Sequence, residues 1–150
     1  MRLRRLLLPL LLAGCAAPKL SAPPPAVPLP APPPVAASPN LEVRLSEVIE
    51  RADRDGLSYA AVFLDGAPAG QTDIAPRSKE KRWAAALAPK NYAVRLELWI
   101  LPGTGEWTKL PDDRQPRERF VRVEAGTRAI LVLRRHPSGR YDFEVAKQSL

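Results

Sequence analysis

This 150-residue chain has one cysteine, one histidine and one methionine, and aromatic residues make up 6% of it. A single cysteine forms no internal disulfide, so any fold must be held by its core alone. A lone histidine, His136, leaves a zinc site without enough nitrogen or sulfur ligands. A Ser-His-Asp triad would have to recruit His136, which precedes Pro137 in a turn-like stretch, and no Gly-x-Ser-x-Gly elbow supports it. Asp112-Asp113 has no spaced Asp/Asn ladder around it and reads as surface-loop acid rather than a calcium loop. A carboxylate-only hydrolase needs two acids across a cleft, for which a domain of this size leaves little room. These absences argue against an enzyme, and no cofactor is expected.

Long apolar runs are also missing. The strongest, Leu6-Leu7-Leu8-Pro9-Leu10-Leu11-Leu12, is far short of the ~20 residues that span a bilayer as a helix. Arg2, Arg4 and Arg5 precede it and small residues follow, which is the order of a secretory signal. Leu12-Ala13-Gly14-Cys15 resembles the lipobox of bacterial lipoproteins. That resemblance implies a signal peptide over 1–14, a diacylglycerol on the Cys15 sulfur and a mature chain starting there. More than one acyl chain anchors a protein firmly. In that family Ala16 rather than Asp after the cysteine implies the outer membrane, and a periplasm-facing domain is the expectation.

Residues 16–39 hold ten of the 18 prolines and almost nothing that could pack. Such a run favours polyproline II, and at ~3.1 Å per residue it reaches up to roughly 70 Å. It reads as a stalk, with a ligand for proline-binding grooves as the lesser reading. The net charge of +7 suggests nucleic acid until it is divided. All 16 acidic residues and 19 of the 23 Lys and Arg fall in residues 40–150, which leaves that stretch at +3. A mildly basic surface of mixed sign is ordinary for solubility, and nucleic acid is not an expected partner.

Residues 40–150 make one domain by length. Leu45, Val48, Ile49 and Ala52 fall at helical spacing behind Ser46, with Gly56 as a stop, which predicts a short helix over 46–55. A brief strand over 41–45 precedes it. Everything after Gly56 reads as β: strands over 57–64, 82–88, 92–101, 118–124, 128–135 and 140–145. Residues 92–101 alternate apolar and polar with period two, as in a half-buried strand. Glu124–Thr127 and His136–Gly139 have hairpin-turn composition. The expected fold is mainly β, an antiparallel Ig-like or transthyretin-like sandwich of six or seven strands with one short N-terminal helix.

The stretch Val62-Phe63-Leu64-Asp65-Gly66-Ala67-Pro68-Ala69-Gly70-Gln71-Thr72 resembles the strand–turn–strand signature of PEGA domains. Leu87-Ala88-Pro89-Lys90-Asn91-Tyr92-Ala93-Val94 is similar to the Leu-Pro-Pro-Gly-x-Tyr-x-Val that follows it in that family. The likeness covers about 57–135 and implies a small sandwich. Its motif is turn chemistry: Gly66 and Gly70 suit positive φ, and Asp65 is expected to hydrogen-bond its own turn. Lys90-Asn91 replaces the usual glycine turn, and 102–117 replaces a family strand.

Recognition is the remaining activity. The segment Pro102–Pro116 is longer than a hairpin needs, and long loops on rigid sandwiches carry binding. Trp107 and Arg114 are residue types that anchor interfaces, with Trp99 on the strand nearby. The competing reading folds Trp107 back over the open end of the core. The expected partners are the membrane, through the lipid, and an envelope protein or peptidoglycan glycan. A structural subunit of an outer-membrane assembly is the alternative.

Overall fold

A computed structural model describes residues 38–103 and 105–150. The signal segment, Cys15 and most of the proline stalk lie outside the described residues. Ten strands follow in order: β1 Leu41–Glu47, β2 Leu57–Leu64, β3 Ala67–Gln71, β4 Ala75–Pro76, β5 Lys81–Ala85, β6 Asn91–Ile100, β7 Thr108–Lys109, β8 Arg119–Arg122, β9 Thr127–Arg135 and β10 Tyr141–Ser149. They form two sheets. The first runs β10-β9-β1-β5; the second runs β3-β2-β6, with β4 also on β2, and β7 and β8 both on the far side of β6. Every pairing is antiparallel except β1 with β9, which run parallel from Leu41↔Ala129 to Glu47↔Arg135.

The period-two pattern explains which faces meet. Leu41, Val43 and Leu45 of β1 and Ala129, Leu131 and Leu133 of β9 point inward from the first sheet. Ala60 and Val62 of β2, Tyr92, Val94, Leu96 and Leu98 of β6, and Val121 of β8 meet them from the second. Each large aliphatic side chain fully buried here contributes about 1.5–3 kcal/mol relative to exposure. The fold is thus a mainly β, two-sheet sandwich, as the alternation predicts. Asn40 fixes the chain's entry: its amide Nδ2 donates to the Leu87 carbonyl at 2.7 Å, and its Oδ1 accepts from the Leu87 N–H at 2.8 Å.

Two local expectations are corrected. The helix expected over 46–55 is absent: β1 continues to Glu47, and only one 3-10 turn forms, over Ala52–Arg54. Pairing with β9 extends to Glu47↔Arg135, and the Val48 N–H donates to the Arg135 carbonyl at 2.8 Å. A ladder of strand bonds outweighs the few tenths of a kcal/mol of helix propensity in so short a segment. The turn at Glu124–Thr127 closes no hairpin; it carries the chain from β8 in one sheet to β9 in the other. The turn at His136–Gly139 does close the β9–β10 hairpin, and the His136 N–H donates to the Arg140 carbonyl at 2.8 Å.

Candidate recognition face

The outer face of the second sheet is built by the odd-numbered residues of β2 and β6. Their register sets Tyr59 beside Trp99, Ala61 beside Glu97 and Phe63 beside Arg95. β8 then adds Phe120 beside Ala93. Tyr59 is 1% exposed although it is on the outer face, opposite the core residues Ala60 and Val62. Its cover is aromatic. Trp99 stacks on it, with centroids 6.1 Å apart and planes 7° apart, and Trp107 meets it edge-on at 4.9 Å and 71°. Such pairs contribute about 0.5–1.5 kcal/mol beyond their buried area. Further along the same face the Arg95 guanidinium lies 3.9 Å over the Phe63 ring and pairs with Glu97. Phe120, on β8 of the same face, is 78% exposed.

The segment 102–116 is pinned rather than free. Thr108–Lys109 forms β7 against Trp99 and Ile100, and Leu110 is buried in the core. The Gln115 side chain behaves like a strand residue: its Oε1 accepts from the Leu98 N–H at 2.7 Å, and its Nε2 donates to the Leu110 carbonyl at 2.7 Å. Between β7 and β8 a groove of about 340 Å³ flanks β6, lined by Arg95, Leu96, Glu97, Lys109, Gln115 and Glu118 among others. It adjoins this outer face and mixes both signs of charge.

Of the residues singled out in the sequence, Trp99 and Trp107 come together through Tyr59. Trp107 does fold back, but over the outer face of the second sheet, not over the open end of the core. Arg114 is not part of this cluster. It sits in a 3-10 turn, Asp112–Arg114, and its carbonyl accepts from the Tyr141 hydroxyl of β10 at 2.8 Å. Tyr59, Phe63 and Phe120 were not anticipated as members of the face. The available signal was the apolar run 59–64 within the strand: a strand apolar on both sides has both sides covered.

The turn motif is built as expected in backbone and differently in side chain. Asp65 (φ 51°) and Gly66 (φ 82°) both adopt positive φ, the two-residue type I′ geometry that joins β2 to β3. Gly70 has φ 151° beside a bulge, where Val62 pairs with Gly70 and Phe63 with Pro68. The Asp65 carboxylate does not bond its own turn. It accepts from the Ala93 N–H at 2.9 Å and from Lys90 Nζ at 2.6 Å, tying the hairpin to the start of β6. The Lys90 bond, with the Ala93 N–H behind it, holds this carboxyl below the ordinary aspartate range. Lys90 also lies 4.5 Å over the Tyr92 ring.

His136 faces Asp142 across its hairpin, Nε2 to Oδ2 at 2.6 Å, and that contact lowers the Asp142 pKa. Among the described residues, no group of three or more His, Cys, Asp or Glu converges as a metal-ligand set. Among them, too, no helix is long and apolar enough to cross a membrane. No family model, curated protein or solved structure matches this chain.

Proposed function

We propose that this chain is a non-enzymatic, lipid-anchored envelope lipoprotein that presents a PEGA-like β-sandwich to the periplasm as an interaction module. The lipobox at Cys15 supports the anchor in the outer membrane, and the proline-rich stretch supports a stalk. The observation that carries the binding assignment is the outer face of the second sheet. There Trp107, Tyr59 and Trp99 form one aromatic cluster, and Phe63 and the 78% exposed Phe120 stand on the same face. Aromatic and arginine side chains on a rigid sheet anchor protein interfaces, and flat rings also stack on sugar faces. The partner is an envelope protein or cell-wall glycan.

The test places a photo-cross-linking residue at Phe120 of the full chain in cells, with a second at Glu144 on the outer face of the first sheet. A discrete protein adduct at Phe120 and not at Glu144 identifies a protein partner. Label retained in isolated cell wall from Phe120 alone identifies glycan. Identical patterns at both positions would reject the face.

A further inference from the structure

A second site lies where β1 and β9 end. Glu47, 1% exposed at its side chain, lies buried there between two guanidinium groups. Its Oε2 accepts from Arg77 Nη2 at 2.9 Å and from Arg135 Nη1 at 3.1 Å. Lys81 Nζ, fully buried nearby, donates to the Arg77 and Lys79 carbonyls at 3.1 and 3.2 Å. One carboxylate therefore faces two guanidinium groups, and Arg135 Nε is buried with no protein partner.

Above this cluster a pocket of about 210 Å³ is lined by Arg51, Arg54, Arg77 and Arg135, with Glu50 as the one carboxylate among the lining residues. Arg51 pairs with the exposed Asp53 at 2.7 Å, and Arg54 makes no ion pair among the described residues. The contrast with the pocket at the other end of the sandwich is informative. That pocket is lined by Lys90, Arg122 and Glu124, and there Lys90 pairs with Asp65 and Arg122 with Glu124. Of these two pockets, the one lined by four arginines carries the larger positive charge, with Arg54 left without an ion pair among the described residues.

We propose that this pocket binds a phosphate group. Guanidinium forks match phosphate oxygens in pairs, and a dianion with three free oxygens engages several forks at once, where a carboxylate satisfies one. Arg77 and Arg135 are partly buried and held by Glu47, so they are positioned before the ligand arrives, and the exposed Arg51 and Arg54 close over it. The phosphate is a free or glycan-borne monoester, which offers three terminal oxygens, or a lipid-headgroup diester, which offers two; guanidinium forks engage either.

The experiment titrates inorganic phosphate into the full chain, following backbone amide shifts, and measures retention on phosphatidylglycerol vesicles against pure phosphatidylcholine. Arg51→Gln and Arg54→Gln remove exposed guanidinium groups without touching Glu47, and melting curves establish that both fold. Arg122→Gln is the charge-matched control at the other end. Saturable shifts confined to residues 48–54, 77 and 135, weakened roughly tenfold or more by Arg54→Gln but not by Arg122→Gln, are expected. Vesicle retention lost in the same variants assigns the headgroup as source, and phosphate binding without vesicle retention assigns a free or glycan-borne ester. Lack of saturation below about 10 mM phosphate overturns the site, as does an equal loss in Arg122→Gln.

Discussion

Trp107 meets Tyr59 edge-on at 4.9 Å, and that contact lays a segment that reads as a loop against the outer face of the second sheet. Tyr59 is the hub, since Trp99 also stacks on it. Tyr59→Ala is expected to destabilise the domain by about 3–5 kcal/mol, because it leaves a cavity under two tryptophans. Trp107→Ala removes a cover and not the hub, so a smaller loss of about 1–2 kcal/mol is expected. Urea unfolding of both variants checks the order. A Trp107→Ala cost equal to that of Tyr59→Ala would mean that Trp107, not Tyr59, organises the face.

The β2–β3 turn separates backbone strain from side-chain anchoring. A Cβ built on Gly66 meets nothing within 4 Å, so Gly66→Ala tests φ 82° alone, with an expected cost of about 1 kcal/mol. Asp65→Ala loses the bond from the Ala93 N–H and the Lys90 pair, with an expected cost of about 1–2 kcal/mol. Asp65→Asn retains an acceptor for Ala93 and tolerates positive φ, so it should recover most of that loss. Thermal melts of the three variants distinguish the two contributions.

The strands at 57–64, 92–101 and 128–135 are legible in the sequence because 92–101 alternates with period two, the other two are short apolar runs, and turn residues bound them. The observed β2, β6 and β9 match these spans to within one residue. The pairing of β1 with β9 was not legible: it joins residues 88 apart, and no local pattern reports a parallel partner that turns a helical spacing into a strand. β3, β4 and β7 are short strands whose existence depends on β2 and β6 as templates. Trp99 and Trp107 could be singled out by residue type, while Tyr59 hid inside an apolar run. The arginine pocket gathers residues 51, 54, 77 and 135 from separate segments, so only the fold assembles it.

Lys81 is a buried cation with carbonyl partners instead of a carboxylate. Its ammonium bonds to the Pro76, Arg77 and Lys79 carbonyls and so fastens the turn before β5. Burial lowers its pKa. Lys81→Met recovers the desolvation of a charge but orphans those carbonyls, and a net loss of about 2–3 kcal/mol is expected. Glu47→Gln leaves Arg77 and Arg135 facing each other without their shared carboxylate, and about 3–5 kcal/mol is expected. Denaturant titration checks both. A Lys81→Met protein as stable as the parent would show that water replaces the ammonium and that the turn needs no anchor.

Acid and alkali act on different groups. Glu42, held by its hydrogen bond from Arg44, and Asp55, Asp65, Glu124 and Asp142 all have lowered pKa values in the fold. Stability from a lowered carboxyl is fully present above its unfolded value and lost as pH falls through the folded one. The melting temperature should therefore hold from pH 7 to 5 and fall below about pH 4. Tyr141 has the opposite sign: burial pushes its phenol up to about 12. Its stabilisation is complete below about pH 10, the unfolded value, and disappears as pH rises from there towards 12. Lys81, lowered by burial, gains in relative stability as pH rises towards its unfolded value, so it partly offsets the early alkaline loss. Tyr141→Phe removes the phenol and its bond to the Arg114 carbonyl, at a cost of about 1 kcal/mol at pH 7. Melting curves from pH 8 to 12 should show a shallower alkaline decline in Tyr141→Phe than in the parent. Parallel curves would mean that the phenol ionises without opening the β10 edge, and that Tyr141 is not what ties the 112–114 turn to the first sheet.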